Sequence, residues 1–88
     1  MRPYEDVDLA GRMLRTFSLE VDSDEMKWHR DARDRRVTVV SGSGWLIQID
    51  DGLPAEMTAG SSFFIPRHAW HRIHKGVTDL VILIDESD

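Results

Sequence analysis

Two histidines in a short, turn-bounded stretch are well placed for chemistry. Residues 60–75 read GSSFFIPRHAWHRIHK. Imidazole offers a lone pair to a metal and exchanges protons near neutral pH. Proline cannot donate to a sheet ladder, so Pro66 predicts a strand end or a bend. His68 then falls in the bend, and His71 opens the next strand. In a small β-barrel that is where ligands for a metal or a small molecule sit.

The surrounding pattern is one of short strands. Residues 1–12 lack periodicity and predict an N-terminal arm, either mobile or paired with a partner's sheet edge. Residues 13–88 predict the folded domain. Phe17, Leu19 and Val21 alternate with polar residues, a strand signal over 13–21. Asp22, Ser23 and Asp24 predict a turn, and residues 25–31 alternate again. The run 37–40 is β-branched and is interrupted by SGSG. Trp45, Ile47 and Ile49 share a face. Asp51 and Gly52 predict a type I′ hairpin turn that returns 53–57 beside 45–49. Residues 62–65, 70–74 and 80–84 complete about eight strands. No amphipathic helix appears, so the expectation is an all-β sandwich or barrel.

Composition narrows the partners. The chain has 88 residues, near the lower limit for a self-sufficient core, which favours dimerisation. There is no cysteine, so disulfides and thiolate chemistry are excluded. Acidic residues outnumber basic ones 16 to 11, for a net charge of −5. Diffuse nucleic-acid binding needs a basic surface and is not expected. No apolar run is long enough to span a membrane. The polar N-terminus is unlike a signal peptide, so a soluble cytoplasmic protein is expected.

Gly60, Pro66 and His71 stand in the register of the second sequence motif of the cupin superfamily. His68 replaces that motif's second Gly, and Lys75 replaces its Asn. Counting back from Gly42 places the first motif as His29-x-Asp31, three residues, Arg35, six residues, Gly42. The chain therefore resembles small stand-alone bacterial cupins and the cupin domains of sugar-phosphate isomerases. The resemblance implies a single-domain, jelly-roll β-barrel of the RmlC-like type. It also implies a divalent metal such as zinc, iron, manganese or nickel, and a small polar substrate.

The first motif departs from the family at Arg35, which occupies the position of a Glu ligand. A guanidinium stays protonated and has no lone pair to give. Strand parity lets His29, Asp31 and Arg35 point into one barrel, where His71 can meet them. His29, Asp31 and His71 then form the residue set of a 2-His-1-carboxylate metal site, with His68 as a spare ligand. Such a site suits a metal-dependent isomerase or oxygenase. The rival reading has no metal: Arg35, His29 and His71 form a cationic pocket for a carboxylate or phosphate. A third is a degenerate barrel used for protein interaction. Trp45 and Phe63 are candidate ligand contacts, with core packing the competing role for Trp45. His74 has the opposite parity to His71 and is expected to face outward.

Overall fold

The computed structural model describes residues 4–20 and 22–87. Eight strands appear among them: β1 (Tyr4–Leu9), β2 (Arg12–Phe17), β3 (Asp34–Ser41), β4 (Leu46–Ile49), β5 (Ala55–Glu56), β6 (Ser62–Ile65), β7 (His71–His74) and β8 (Leu80–Ser87). A single 3₁₀ turn, Asp24–Met26, lies between β2 and β3. No helix among the described residues is long and apolar enough to cross a membrane.

The strands form two antiparallel sheets, ordered β1-β2-β8-β3-β6 and β5-β4-β7. Alternation decides which face each strand buries. Val37 and Val39 of β3 and Leu80, Ile82 and Ile84 of β8 point inward, where they meet Ile47 of β4 and Ile73 of β7. Trp45 and Phe17 anchor this core, their ring centroids 6.1 Å apart. Truncating Phe17 to Ala would cost about 3–5 kcal/mol, the usual figure for a buried aromatic. The all-β, jelly-roll expectation holds.

Several elements differ from the sequence expectation. Much of the expected arm is a strand: Tyr4–Leu9 pairs with Arg12–Phe17 of the same chain. The link is a two-residue turn at Ala10 and Gly11, both with positive φ (55° and 88°), as a type I′ turn requires. By contrast, Asp51 and Gly52 do not form that turn, and the positive φ falls on Asp50 (50°). β5 still returns beside β4, pairing Ala55 with Ile47. The strand expected over 25–31 is instead the 3₁₀ turn followed by an isolated bridge at His29. Met26 of that turn packs against the core. Val21, expected to close a strand, lies outside the described residues, as does the start of the expected arm.

Candidate metal centre

Three elements deliver the ligand-type side chains. His71 begins β7 after the bend at Pro66, as the sequence predicts, and is 3 % exposed. His29 lies opposite it in an isolated antiparallel bridge. Their backbones exchange two hydrogen bonds, His29 N to His71 O at 3.0 Å and His71 N to His29 O at 2.9 Å. The ring centroids are 4.1 Å apart. Glu25 comes from the 3₁₀ turn. Ser23 sets that turn by accepting the Glu25 N–H on its hydroxyl, at 3.2 Å, and the Met26 N–H on its carbonyl, at 3.1 Å. A Ser in that position satisfies amides that the turn leaves without partners.

The outcome is a cluster of Glu25, His29 and His71 whose ligand atoms all lie within 4.8 Å of one another. The imidazole tautomers follow from their partners. His29 Nδ1 lies 2.7 Å from the Lys27 carbonyl, and His71 Nδ1 lies 2.9 Å from the Ala69 carbonyl. A carbonyl can only accept, so each Nδ1 carries the proton. Each Nε2 is left with its lone pair, unless it takes a second proton. Backbone bonds of this kind orient histidines that ligate metals.

Charged groups surround the cluster. Arg15 is 6 % exposed, holds Asp6 by two hydrogen bonds of 2.8 and 3.1 Å, and reaches Glu25 Oε1 at 3.1 Å. Asp31 Oδ2 lies 3.1 Å from His71 Nε2 and 3.4 Å from Arg35 Nη1. Arg35 also meets Glu86 at 3.5 Å. Four carboxylates thus stand against two guanidinium groups.

Burial pushes the Glu25 carboxyl up, but His29, Arg15 and Arg35 outweigh it and hold it below its ordinary value. Burial pulls the His29 imidazole down, but Glu25, the Lys27 carbonyl and Asp31 outweigh it and raise its pKa. The His71 ring lowers the Asp31 carboxyl, with Arg35 adding to the effect against burial.

His29 Nε2, Asp31 Oδ2 and Arg35 Nε are sealed from solvent without a well-directed hydrogen bond. Each nonetheless touches an opposite charge; His29 Nε2 and Glu25 Oε2 are 2.5 Å apart. These are ion contacts without hydrogen-bond alignment. Buried polar atoms seldom remain unsatisfied; a cation would fit the two that can offer a lone pair, His29 Nε2 and Asp31 Oδ2, but not the Arg35 N–H.

The sequence expectations divide at this site. The structure brings His29 and His71 together and sets Asp31 at the edge, outside the cluster. Glu25, which the sequence reading did not name, joins the two histidines in the cluster. Its spacing of four residues before His29 was the available signal, but a strand reading of 25–31 hides it. Arg35 shares the inward face of Val37 and lines the internal cavity. His68 is a correction: its side chain is exposed, φ is +65°, and its backbone N–H serves the site by donating to the Asp31 carbonyl at 2.8 Å. Trp45 is also a correction. It is fully buried core, its indole N–H donating to the Thr78 carbonyl at 2.6 Å. Phe63 is half-buried packing on β6. His74 lies on the opposite face of β7 from His71, near Gln48.

The Cupin domain profile matches residues 15–84, most of the chain. The chain belongs to the cupin family. No curated protein matches it. Among solved structures, this cupin is similar to a cupin domain from Bordetella pertussis Tohama I, with 20 % identity, a TM-score of 0.62, and coverage of 100 % of this chain and 98 % of that one. A cupin-2 domain protein from Shewanella frigidimarina gives 16 % identity and a TM-score of 0.66, covering 99 % and 84 % of the two chains. A structure of FeII HppE gives 17 % identity and a TM-score of 0.66, covering 96 % and 48 %. The match to a structure from a study of DMSP lyases has a TM-score of 0.71 at 19 % identity, and covers 83 % of this cupin but only 35 % of the other chain. This cupin therefore spans about a third of the lyase chain and about half of HppE.

Proposed function

We propose that this cupin binds one divalent metal ion through His29 Nε2, His71 Nε2 and the Glu25 carboxylate. One observation carries the reading: both imidazoles spend Nδ1–H on backbone carbonyls, which leaves both Nε2 atoms among carboxylates, His29 against Glu25 and His71 against Asp31, with the ligand atoms of Glu25, His29 and His71 within 4.8 Å of one another. Two imidazoles and one carboxylate suit zinc, iron or manganese. A metal held there would act as a Lewis acid. Arg15 fixes Glu25 from behind, and Asp31 braces His71. The N-terminal hairpin supports the site through Asp6 and Arg15.

The fixed charges favour a cation over an anion. Arg35 is already engaged by Asp31 and Glu86, and carboxylates outnumber guanidinium groups around the cluster. A pocket with that balance repels a carboxylate or phosphate. The internal cavity beside the cluster measures about 30 Å³ and is walled mainly by apolar side chains such as Ile47, Met57 and Ile65. That volume suits an ion or a water, not an organic substrate. A substrate for the metal would have to reach it from outside the packed interior.

Elemental analysis of protein purified without a histidine tag tests the reading. About one equivalent of a divalent metal should copurify or be taken up, and chelation should lower the unfolding temperature. Protein that takes up no metal, with unfolding indifferent to chelator, contradicts it.

A further inference from the structure

The outer face behind the two histidines carries a repeated triplet and a groove. Trp28-His29-Arg30 and Trp70-His71-Arg72 are the same triplet twice. The antiparallel bridge sets them in opposed register. His29 meets His71, while Trp28 falls beside Arg72 and Arg30 beside Trp70. The guanidinium of Arg72 sits 4.6 Å from the Trp28 ring centroid, and that of Arg30 sits 4.8 Å from Trp70. With the imidazoles turned inward, alternation places these four side chains on the other face.

There, Trp28, Trp70, Asp50 and Asp51 line an open groove of about 470 Å³. Both indoles are exposed, at 40 % and 48 %. Asp50 is locked against Trp70, its carboxylate accepting the Trp70 N–H at 3.1 Å and its own N–H donating to the Trp70 carbonyl at 2.6 Å. Its positive φ of 50° is uncommon for a residue other than glycine. The groove edge is thus held rigidly.

We infer that this groove binds a neutral saccharide through pyranose rings stacked on Trp28 and Trp70. Three features select that class. The volume falls in the range of small-molecule sites. The lining charge comes from Asp50 and Asp51, and Arg30 and Arg72 over the two indoles offset it from outside the lining. A guanidinium already lies over one face of each ring, so an added cation would be repelled by Arg30 or Arg72 whereas an uncharged sugar would not. A protein-interface core would be poor in charge, whereas this groove sets two aspartates beside two indoles. Sugars match that mixture: C–H faces stack on indole, and hydroxyls donate to Asp50 and Asp51 and accept from Arg30 and Arg72.

The test is a titration of the wild-type protein with cellotriose, maltotriose and chitotriose, followed by indole N–H resonances and by calorimetry. At least one sugar should shift the Trp28 and Trp70 signals saturably and leave that of Trp45, whose N–H is bonded in the core. Chelator should not abolish binding, because no proposed metal ligand lines the groove; this separates the inference from the metal reading. Trp28→Ala and Trp70→Ala should each weaken binding about tenfold or more, a change of about 1.4 kcal/mol. The inference is overturned if none of the three sugars shifts either signal up to about 10 mM, a concentration that reveals even millimolar affinities. Binding of choline without binding of any sugar overturns it equally.

Discussion

His29 and His71 face one another across an antiparallel bridge, joined by two backbone hydrogen bonds and separated by 4.1 Å between ring centroids. Residues far apart in the chain thus place two basic nitrogens side by side. With Glu25 between Arg15 and His29, charges alternate along a line: Asp6, Arg15, Glu25, His29. A second line runs through His71, Asp31, Arg35 and Glu86. The predictions that follow come from these two lines.

Arg15 is the buried hinge of the first line. Arg15→Met leaves Asp6 and Glu25 without their counterion, and breaking a buried pair in this way costs about 3 kcal/mol. Urea unfolding in chelator should show that loss. Zinc should restore more stability to the variant than to the wild type, because the cation takes over the neutralisation of Glu25. An equal zinc effect on both proteins would count against Glu25 as a ligand.

Arg35 is the cation nearest the cluster on the second line. Arg35→Gln removes a positive charge that opposes metal binding, so zinc affinity should rise about tenfold. Metal-free stability should fall by about a kcal/mol, since Asp31 and Glu86 lose their partner. Calorimetric titration reads the first effect and urea unfolding the second. Unchanged affinity would place the guanidinium charge outside the metal's reach.

The metal-free protein should have a bounded pH range of stability. The His29 pKa is raised above its ordinary 6.5. Its contribution is complete below that value and is lost as pH rises through the raised one. The Glu25 and Asp31 pKa values are lowered from 4.5 and 3.8. Their contributions are present above those values and are lost as pH falls through the depressed ones. Unfolding in chelator should therefore show greatest stability between about pH 5 and 6.5, declining on both sides. Zinc should extend the alkaline side, because it binds deprotonated imidazoles. A flat profile from pH 5 to 9 would contradict the His29–Glu25 pair.

Assembly is testable in the same way. On the outer face of the larger sheet, Val7 pairs with Leu14, and Leu14 with Leu83. Val40 and Phe64 are also half-exposed among the β3 and β6 residues. A homodimer would cover such surface. Light scattering should report twice the chain mass of 10.1 kDa; a monomer at high micromolar concentration would refute the dimer.

The fold was legible because strand alternation and turn residues carry local information. Val37, Val39, Ile82 and Ile84 show their buried face in the sequence itself. Pro66 and His71 likewise mark a strand end and a strand start. The carboxylate of the cluster was less legible. Reading residues 25–31 as a strand gives Asp31 the parity of His29, whereas the 3₁₀ turn set by Ser23 brings Glu25 to the imidazole instead. The repeated Trp-His-Arg triplet was visible, but its meaning depends on the bridge that opposes the two copies. Ala10 and Gly11 formed the tight turn expected at Asp51 and Gly52, so turn composition alone did not decide which pair would adopt it.

The central claim is that Glu25, His29 and His71 hold one metal ion. Its most direct test is calorimetric zinc titration of the chelator-stripped, untagged protein beside Glu25→Ala, His29→Ala, His71→Ala and His68→Ala. The wild type and His68→Ala should bind one zinc per chain with matching affinity. The other three should each lose about a hundredfold or more, about 2.7 kcal/mol. Absence of zinc binding in the wild type, or wild-type affinity in Glu25→Ala, would contradict the account.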